Sequence, residues 1–493
     1  MKTMKFLSLA ALALTFAACS SDDNELTQQP AEQPANNNMI TITAKLAPKS
    51  GSAQTRAVSD DGTNIVVDWA ANEHIAILYT VGSQKLLADA EITNVDASGV
   101  ATISFAVDGS TTDGTACQIV YPLSSAKADN SGVKAYADML ATQDGVLDGD
   151  LDVRIGAGTI QTSPASLDVT TQPEAQFAIF KFTAQDLSGS AITYSKGLTE
   201  FKVSDATGNV ITTVTPTTNA LYVGLPALAA GTYWFNATAS GKPYIAKATL
   251  STPTSAGNYY QSTMNMATIG NVIGANGKFY ADKDAAKSAS STACAVIAYL
   301  GSETAETGYT HGLAIAMKDA NNGSSTMWMW NSSVPHYSAV NPNQYEDIAD
   351  ALAAKESGSS LSSSKNNSTY PAFQAALANS IATEDGISAE APATGTSGWF
   401  LPSIFQWNQI VNGLTGTTTA FTTSTNDNLN YSAVNPTITA AGGDGLQSSS
   451  SSYWSSTECN SDYAWWYDAL YGKAKCNDFR KGTYNFVRAA FAF

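Results

Sequence analysis

The last 41 residues, Tyr453 to Phe493 (YWSSTECNSDYAWWYDALYGKAKCNDFRKGTYNFVRAAFAF), hold 12 aromatic side chains and nine charged ones. So apolar a segment does not stay in solvent as coil. Its rings either close a core as paired strands or form a contact surface, and composition leaves both open. If Ala464 to Gly472 is a strand, its period of two sends Trp465, Tyr467 and Ala469 to one face and Trp466, Asp468 and Leu470 to the other. One face then packs and the other is displayed.

At 493 residues the chain has room for about three domains of about 150 residues each. Its formal charge is −17, from 25 basic and 42 acidic residues. No basic stripe is available to neutralise phosphates, so nucleic acid is excluded as a partner class. Only 14% of residues are charged, and the abundance of Ser, Thr, Gly, Ala and Asn suits a secreted, β-rich protein. Residues 1–18 read as a signal peptide: Lys2 and Lys5, the apolar run Phe6 to Phe16, then Ala17 and Ala18. Phe16-Ala17-Ala18-Cys19 resembles a bacterial lipobox, which implies that Cys19 is lipidated and anchors the protein in the outer membrane. Each buried methylene would add about 0.8 kcal/mol to that anchorage. Ser20-Ser21-Asp22-Asp23 resembles the acidic signal that sends some lipoproteins to the outer face, implying display at the cell surface. Residues 19–38, polar and Pro-containing, read as a flexible tether. No later run is long and apolar enough to span a bilayer.

From Met39, short runs of strand formers alternate with turn residues: Ile40, Ile42 and Ala44; Ile75, Ile77 and Tyr79; Ala178, Phe180 and Phe182; Thr232, Tyr233 and Trp234. This is an all-β sandwich pattern in two modules, 39–174 and 175–268. Asp148, Asp150 and Asp152 have the alternate spacing of a calcium loop, but Val153 and Thr159 stand where Gly and Glu are needed. They read as a solvated loop, and no metal is expected. Thr55-Arg56-Ala57-Val58, then Asp60-Asp61-Gly62-Thr63, then Trp69 before the Ile75 strand resembles the fimbrillin family of pilus subunits over residues 39 to 268. The resemblance implies cleavage after Arg56, loss of the first strand, and strand addition by other pilins to the exposed edge. On the residues alone, an uncleaved Arg56 in a loop stays open.

The third domain, 269–493, mixes helices and strands. Asp282 to Ala289 reads as a short helix, Ala293 to Leu300 and Gly312 to Met317 as buried strands, and Gln344 to Glu356 and Pro371 to Ile381 as amphipathic helices. Ser403 with Gln406 forms a capping box ahead of a helix from Ile404 to Leu414. Thr415 to Ser452, rich in Thr, Ser, Asn and Gly, is expected to be an exposed, mobile loop. Gly398-Trp399-Phe400-Leu401-Pro402-Ser403, Gln406-Trp407, Tyr453 to Glu458, Ala464-Trp465, Gly472 and Val487-Arg488 resemble bacterial C-type-lectin-like domains. Within these they are similar to the subset whose terminal codons are rewritten at adenines by retroelements. The expected fold class is therefore a mostly β N-terminal half, of two fimbrillin-like β-sandwich modules, plus an α+β C-type-lectin-like C-terminal domain with a candidate variable region at 453–493.

That resemblance implies a fixed frame of Trp399, Trp407, Trp454, Trp465, Gly472, Val487 and Arg488, with Arg488 satisfying buried acceptors. It implies a display set of Cys459, Asn460, Asp462, Tyr463, Trp466, Asp468, Leu470, Tyr471, Cys476, Asn477, Asp478, Phe479, Arg480, Thr483, Tyr484 and Asn485. All but Trp466 are reachable by adenine rewriting of an AAC or AAT codon. A fixed lectin-like surface remains the alternative. The family's second terminal Arg is absent, because Phe491 stands there. Cys459 and Cys476 are either a disulfide or two chance thiols; Cys117 and Cys294 have no metal-ligand spacing. No motif of calcium-dependent sugar lectins occurs.

His74, His311 and His336 fall in different segments, and there is no phosphate loop, HExxH or GxSxG. No enzyme activity and no cofactor are expected. Two functions remain: an adhesin whose head captures a protein or glycan on another cell or phage, or a structural pilus anchor or stalk subunit with a lectin-like cap.

Overall fold

Alternation of apolar and polar residues builds the first sheet, as in Ala101–Asp108, where Ala101, Ile103, Phe105 and Val107 are buried and their neighbours half-exposed. The computed structural model describes residues 39–49, 58–60, 65–140, 143–148, 151–320, 327–333, 339–378, 381–382, 388–389, 395–448 and 452–493. Seven strands form this first unit: Met39–Leu46 (β1), His74–Val81 (β2), Gln84–Val95 (β3), Ala101–Asp108 (β4), Thr115–Tyr121 (β5), Arg154–Thr162 (β6) and Ala165–Ala175 (β7). Their order is β1-β4-β3-β2-β5-β6-β7, all antiparallel. β1 lies at the sheet's edge, yet its Ile42, Ala44 and Leu46 enter the core with Trp69, Ile77, Phe105 and Ile119.

Asp152 corrects the solvated-loop expectation. It is 3% exposed and lies between two cations: its Oδ2 is 2.9 Å from Lys49 Nζ, and its Oδ1 accepts from Arg154 Nε at 2.7 Å. Arg154 also donates to the Lys49 carbonyl. A charge buried this deeply needs such partners, and they come from residues 105 positions apart, which local spacing does not reveal. Asp148 is exposed, and Asp150 lies outside the described residues.

The second unit has Ala178–Asp186 (β8), Leu198–Ser204 (β9), Val210–Val214 (β10), Leu221–Leu225 (β11), Gly231–Ala239 (β12), Lys242–Leu250 (β13) and Tyr259–Thr268 (β14). The order is β10-β9-β12-β13-β14-β8-β11, parallel only between β8 and β14. β13 and β14 share two residue pairs, Tyr244 with Thr268 and Ile245 with Ala267. The two halves therefore splay around a core of Phe180, Phe182, Phe201 and Phe235.

The described residues from 269 onward combine helices with small sheets. Val272–Gly274 (β15), Phe279–Tyr280 (β16), Ala293–Leu300 (β17), Gly312–Ala316 (β18) and, at the far end of the sequence, Ala490–Ala492 (β24) make a five-stranded sheet ordered β16-β15-β17-β18-β24. Trp328–Met329 (β19) pairs with Tyr484–Asn485 (β23), and Ser452–Glu458 (β20), Ala464–Asp468 (β21) and Lys473–Lys475 (β22) form a three-stranded sheet. Of the helices, Ile404–Thr415 (α1) packs on both layers and carries the Ser403–Gln406 capping box in both directions. Tyr431–Ala440 (α2) corrects the mobile-loop expectation for 415–452. The Asn430 side chain caps it by accepting from the amides of Ser432 and Ala433, and Val434 and Ile438 are fully buried four residues apart. Thr, Asn and the internal Pro436 hid that short stripe.

His311 lies where the second unit meets the third, its ring stacked on Trp234 with centroids 4.0 Å apart. Burial, aided by Lys247, pushes its pKa down to about 4. Strands make up 41% and helix 15% of the described residues, which are therefore mostly β and built into several sheets.

Candidate functional site

The small sheet of the third unit gains its shape from indoles used as struts. Cross-strand pairing puts Tyr453 opposite Tyr467 and Trp454 opposite Trp466. The tyrosine pair faces α1, where the Trp407 ring lies 5.7 Å from Tyr453 and 5.2 Å from Tyr467. Four of the buried indole N–H groups in this lattice each reach a backbone carbonyl of another segment. Trp407 donates to Trp454, Trp454 to Trp328, Trp330 to Ser455, and Trp465 to Tyr345, over 2.6–3.1 Å. Trp399 instead packs on Phe491, ring centroids 4.9 Å apart.

Arg488 is fully buried. Its Nε donates to Asp319 Oδ1 at 2.6 Å, Nη1 to the carbonyls of Ala316 and Asp444, and Nη2 to those of Asp444 and Gly445. One guanidinium thereby ties β18, the segment after α2 and the strand region before β24. Val487 is buried, and its carbonyl accepts from Ala320 N. Gly472 has φ +61°, and a Cβ there would come within 2.0 Å of the Asn426 carbonyl oxygen, so this turn admits no side chain.

Glu458, the last residue of β20, is wholly buried. Its carboxylate accepts from the amides of Val340 and Asn341 and from Lys481 Nζ. Burial lowers the Lys481 pKa and Glu458 opposes that. Beside this pair Glu356 is pushed up to about 7, chiefly by burial, with Glu458 adding to the effect. Neither Glu356 nor the pairing of Lys481 was legible beforehand, because their partners come from distant segments.

The proposed display residues divide by burial. Tyr471, Asn477, Asp478, Arg480 and Tyr484 are exposed, Tyr471 at 47% and Tyr484 at 55%. Asn460, Asp462, Tyr463, Leu470, Cys476, Phe479 and Thr483 are half-buried. Cys459, Trp466, Asp468 and Asn485 are buried and correct the expectation of one displayed face. The reason is that β21 is the central strand of its sheet, and its outer side is roofed as its inner side is packed. Phe479 lies 4.8 Å from Trp466 between ring centroids, and Lys475 Nζ is 5.3 Å from that ring. Asp468 is raised by burial, opposed by Lys475 at 3.8 Å.

Cys459 and Cys476 are joined as a disulfide, which closes the open choice between bridge and free thiols. With the Tyr463–Arg480 bridge and the Lys481 N to Asp462 carbonyl bond, it gathers the 460–463 and 476–484 loops at one end of the sheet. Tyr471 stands at the other end, in the turn between β21 and β22. Cys117 and Cys294 are buried thiols outside the disulfide, pushed up by burial to about 11 and about 12. Among the described residues no group of three or more His, Cys, Asp and Glu could hold a metal ion, and no helix is long and apolar enough to cross a membrane. Cys19, Arg56 and His336 lie outside the described residues.

No protein-family model matches the chain, and no curated protein matches it. Solved structures do. A fimbrial protein from Bacteroides ovatus is 12% identical over 92% of this chain and 99% of its own, with a TM-score of 0.27. A candidate cell adhesion protein from Bacteroides uniformis is 12% identical over 48% of this chain and 98% of its own, with a TM-score of 0.26. A fimbrial assembly protein from Parabacteroides distasonis is 12% identical over 46% and 90%, with a TM-score of 0.23. Likenesses this loose assign no role to any residue of the present chain.

Proposed function

We propose that this chain is a surface-displayed adhesin, a lipoprotein anchored in the outer membrane through Cys19, whose third unit is a lectin-like head that captures a protein or glycan on another cell or phage. The observation that carries the reading is the contrast within the last 41 residues. A frame locked by Trp407, Trp454, Trp465 and Arg488 supports disulfide-tied loops that expose Asn477, Asp478, Arg480 and Tyr484, and at the sheet's other end a turn that exposes Tyr471. Exposed aromatic and amide side chains on a rigid support are the economy of a binding surface, since little entropy is lost when they engage.

The exposed and half-exposed positions are the ones we assign to retroelement diversification. Sequencing the gene and its downstream DNA in sister isolates tests this. A near-copy of the terminal codons differing at adenines, beside a reverse transcriptase, with variants confined to those positions, is the expected result. An invariant locus without such a copy would leave the alternative, a pilus anchor or stalk subunit with a fixed cap.

One observation favours assembly with other pilins as well. β1 is an edge strand that carries three core side chains, so its loss after cleavage at Arg56 would open an apolar slot beside β4. In contrast β24 is bonded to β18 on one side and to Phe400 on the other, and is not free to be donated; this suits a pilus tip. An Arg56→Ala chain that matured and assembled normally would remove the cleavage step.

A further inference from the structure

The outer side of the small sheet carries polar groups that the folded chain leaves unsatisfied. Trp454 and Trp466 are cross-strand partners, Trp454 Nε1 donates to the Trp328 carbonyl, and Trp328 is paired with Asn485. Trp466 and Trp328 therefore both adjoin the Trp454 indole, and Asn485 adjoins Trp328. Trp466 Nε1, Trp328 Nε1 and Asn485 Nδ2 are each sealed from solvent and have no hydrogen-bond partner. Trp466 and Asn485 are 2% and 3% exposed. The indoles of Trp330, Trp407, Trp454 and Trp465 find carbonyls, whereas that of Trp399, away from this patch, does not; what sets the patch apart is that three such donors adjoin one another in it. Buried donors are rarely left unmade, because each forfeits its bond to water.

All three orphans are N–H donors, which sets the chemistry of what would complete them: neutral oxygen acceptors. An anion is disfavoured, since Lys475 is already compensated by Asp478 at 2.5 Å and Asp468 at 3.8 Å. A peptide backbone brings as many N–H donors as carbonyls, and its donors would face donors here. A pyranose brings hydroxyl oxygens with two lone pairs each, O–H groups that can turn toward Asp468 or Asp478, and C–H faces that pack on indole rings.

Resting on the adhesin reading, we infer that Trp328, Trp466 and Asn485 form the floor of a neutral-saccharide subsite, and that Phe479 occupies the place of the sugar in the free protein. Phe479 is the roof because its ring covers Trp466 and it sits in the loop between the disulfide and β23, where a rotation of the side chain uncovers the indole.

The test uses the full chain on a panel of immobilised neutral and acidic oligosaccharides, on intact cells, and as Trp466→Phe and Trp328→Phe variants. These variants keep an aromatic ring and remove the donor together with part of the indole, so each also leaves a small cavity where the buried N–H stood. Wild type is expected to bind neutral members of the panel, and each variant to lose about tenfold in affinity, as one lost hydrogen bond implies. Phe479→Ala, which removes the roof, is expected to bind the same sugars at least as tightly. Capture of cells without any saccharide binding overturns the sugar assignment and leaves the adhesin standing; capture of neither overturns both. Sugar binding unchanged in the two Phe variants places the site elsewhere and overturns the assignment of this patch.

Discussion

Replacing Arg488 by Met tests the frame on which any display surface depends. The guanidinium is fully buried and makes bonds to Asp319, Ala316, Asp444 and Gly445. Met fills most of the volume but leaves the Asp319 carboxylate, itself 2% exposed, without its cation. Breaking one side of a buried pair costs about 3–5 kcal/mol. For a cooperative unit of about 150–250 residues, each kcal/mol shifts the midpoint by about 2–4 °C, so the head's transition should fall by about 6–20 °C. Scanning calorimetry of the full chain would resolve it, with the transitions of the two β units as internal controls. Adding Asp319→Asn to Arg488→Met should recover part of the loss, because much of the cost is the stranded charge and not the missing bonds. A midpoint within a degree of wild type for the single variant would refute the reasoning, since Arg488 would then not be the tie between β18 and the segment after α2.

Three further outcomes follow from the packing of the same region. Gly472→Ala should destabilise the head by more than the roughly 1 kcal/mol of left-handed strain, because its Cβ meets backbone at Asn426 and Asn430; unfolding midpoints compared with Gly472→Asn would show it. Reducing the Cys459–Cys476 bond, 17 residues apart, should lower head stability by about 3 kcal/mol, read as a shifted denaturation midpoint with and without reductant. The pH dependence has two opposed parts. Glu356, raised to about 7, keeps its proton when folded, so its contribution is full below pH 4.5 and is lost as pH rises through 7. His311, lowered to about 4, stays neutral when folded, so its contribution is full above pH 6.5 and is lost as pH falls toward 4. Glu356→Gln should therefore flatten the neutral limb and His311→Gln the acid limb of a stability profile; a profile unaltered by either contradicts the assigned causes.

Local patterns were readable and long-range completions were not. The Ser403–Gln406 box and the strands through Ile75 and Phe180 are set by neighbours within a few residues, and the chain folds them as written. Trp466 misled because period two describes the sides of a strand and says nothing of what covers them; its roof comes from Phe479 and Lys475. Asp152 misled for the converse reason, its cations arriving from Lys49 and Arg154. The helix capped by Asn430 was hidden by Pro436, though the buried pair Val434 and Ile438 carried a faint signal. The partners of Arg488, more than forty residues away at the nearest, lie beyond any local reading, as does the pairing of Trp328 with Asn485.

The most direct test of the adhesin is capture by the exposed loops alone. Tyr471, Asn477, Arg480 and Tyr484 would be changed together to Ser, sparing every buried residue of the frame, and the full chain compared with wild type for retention on intact bacterial and epithelial cells. The account predicts at least a tenfold loss of retention with the head's unfolding midpoint unchanged. Retention equal to wild type would contradict it.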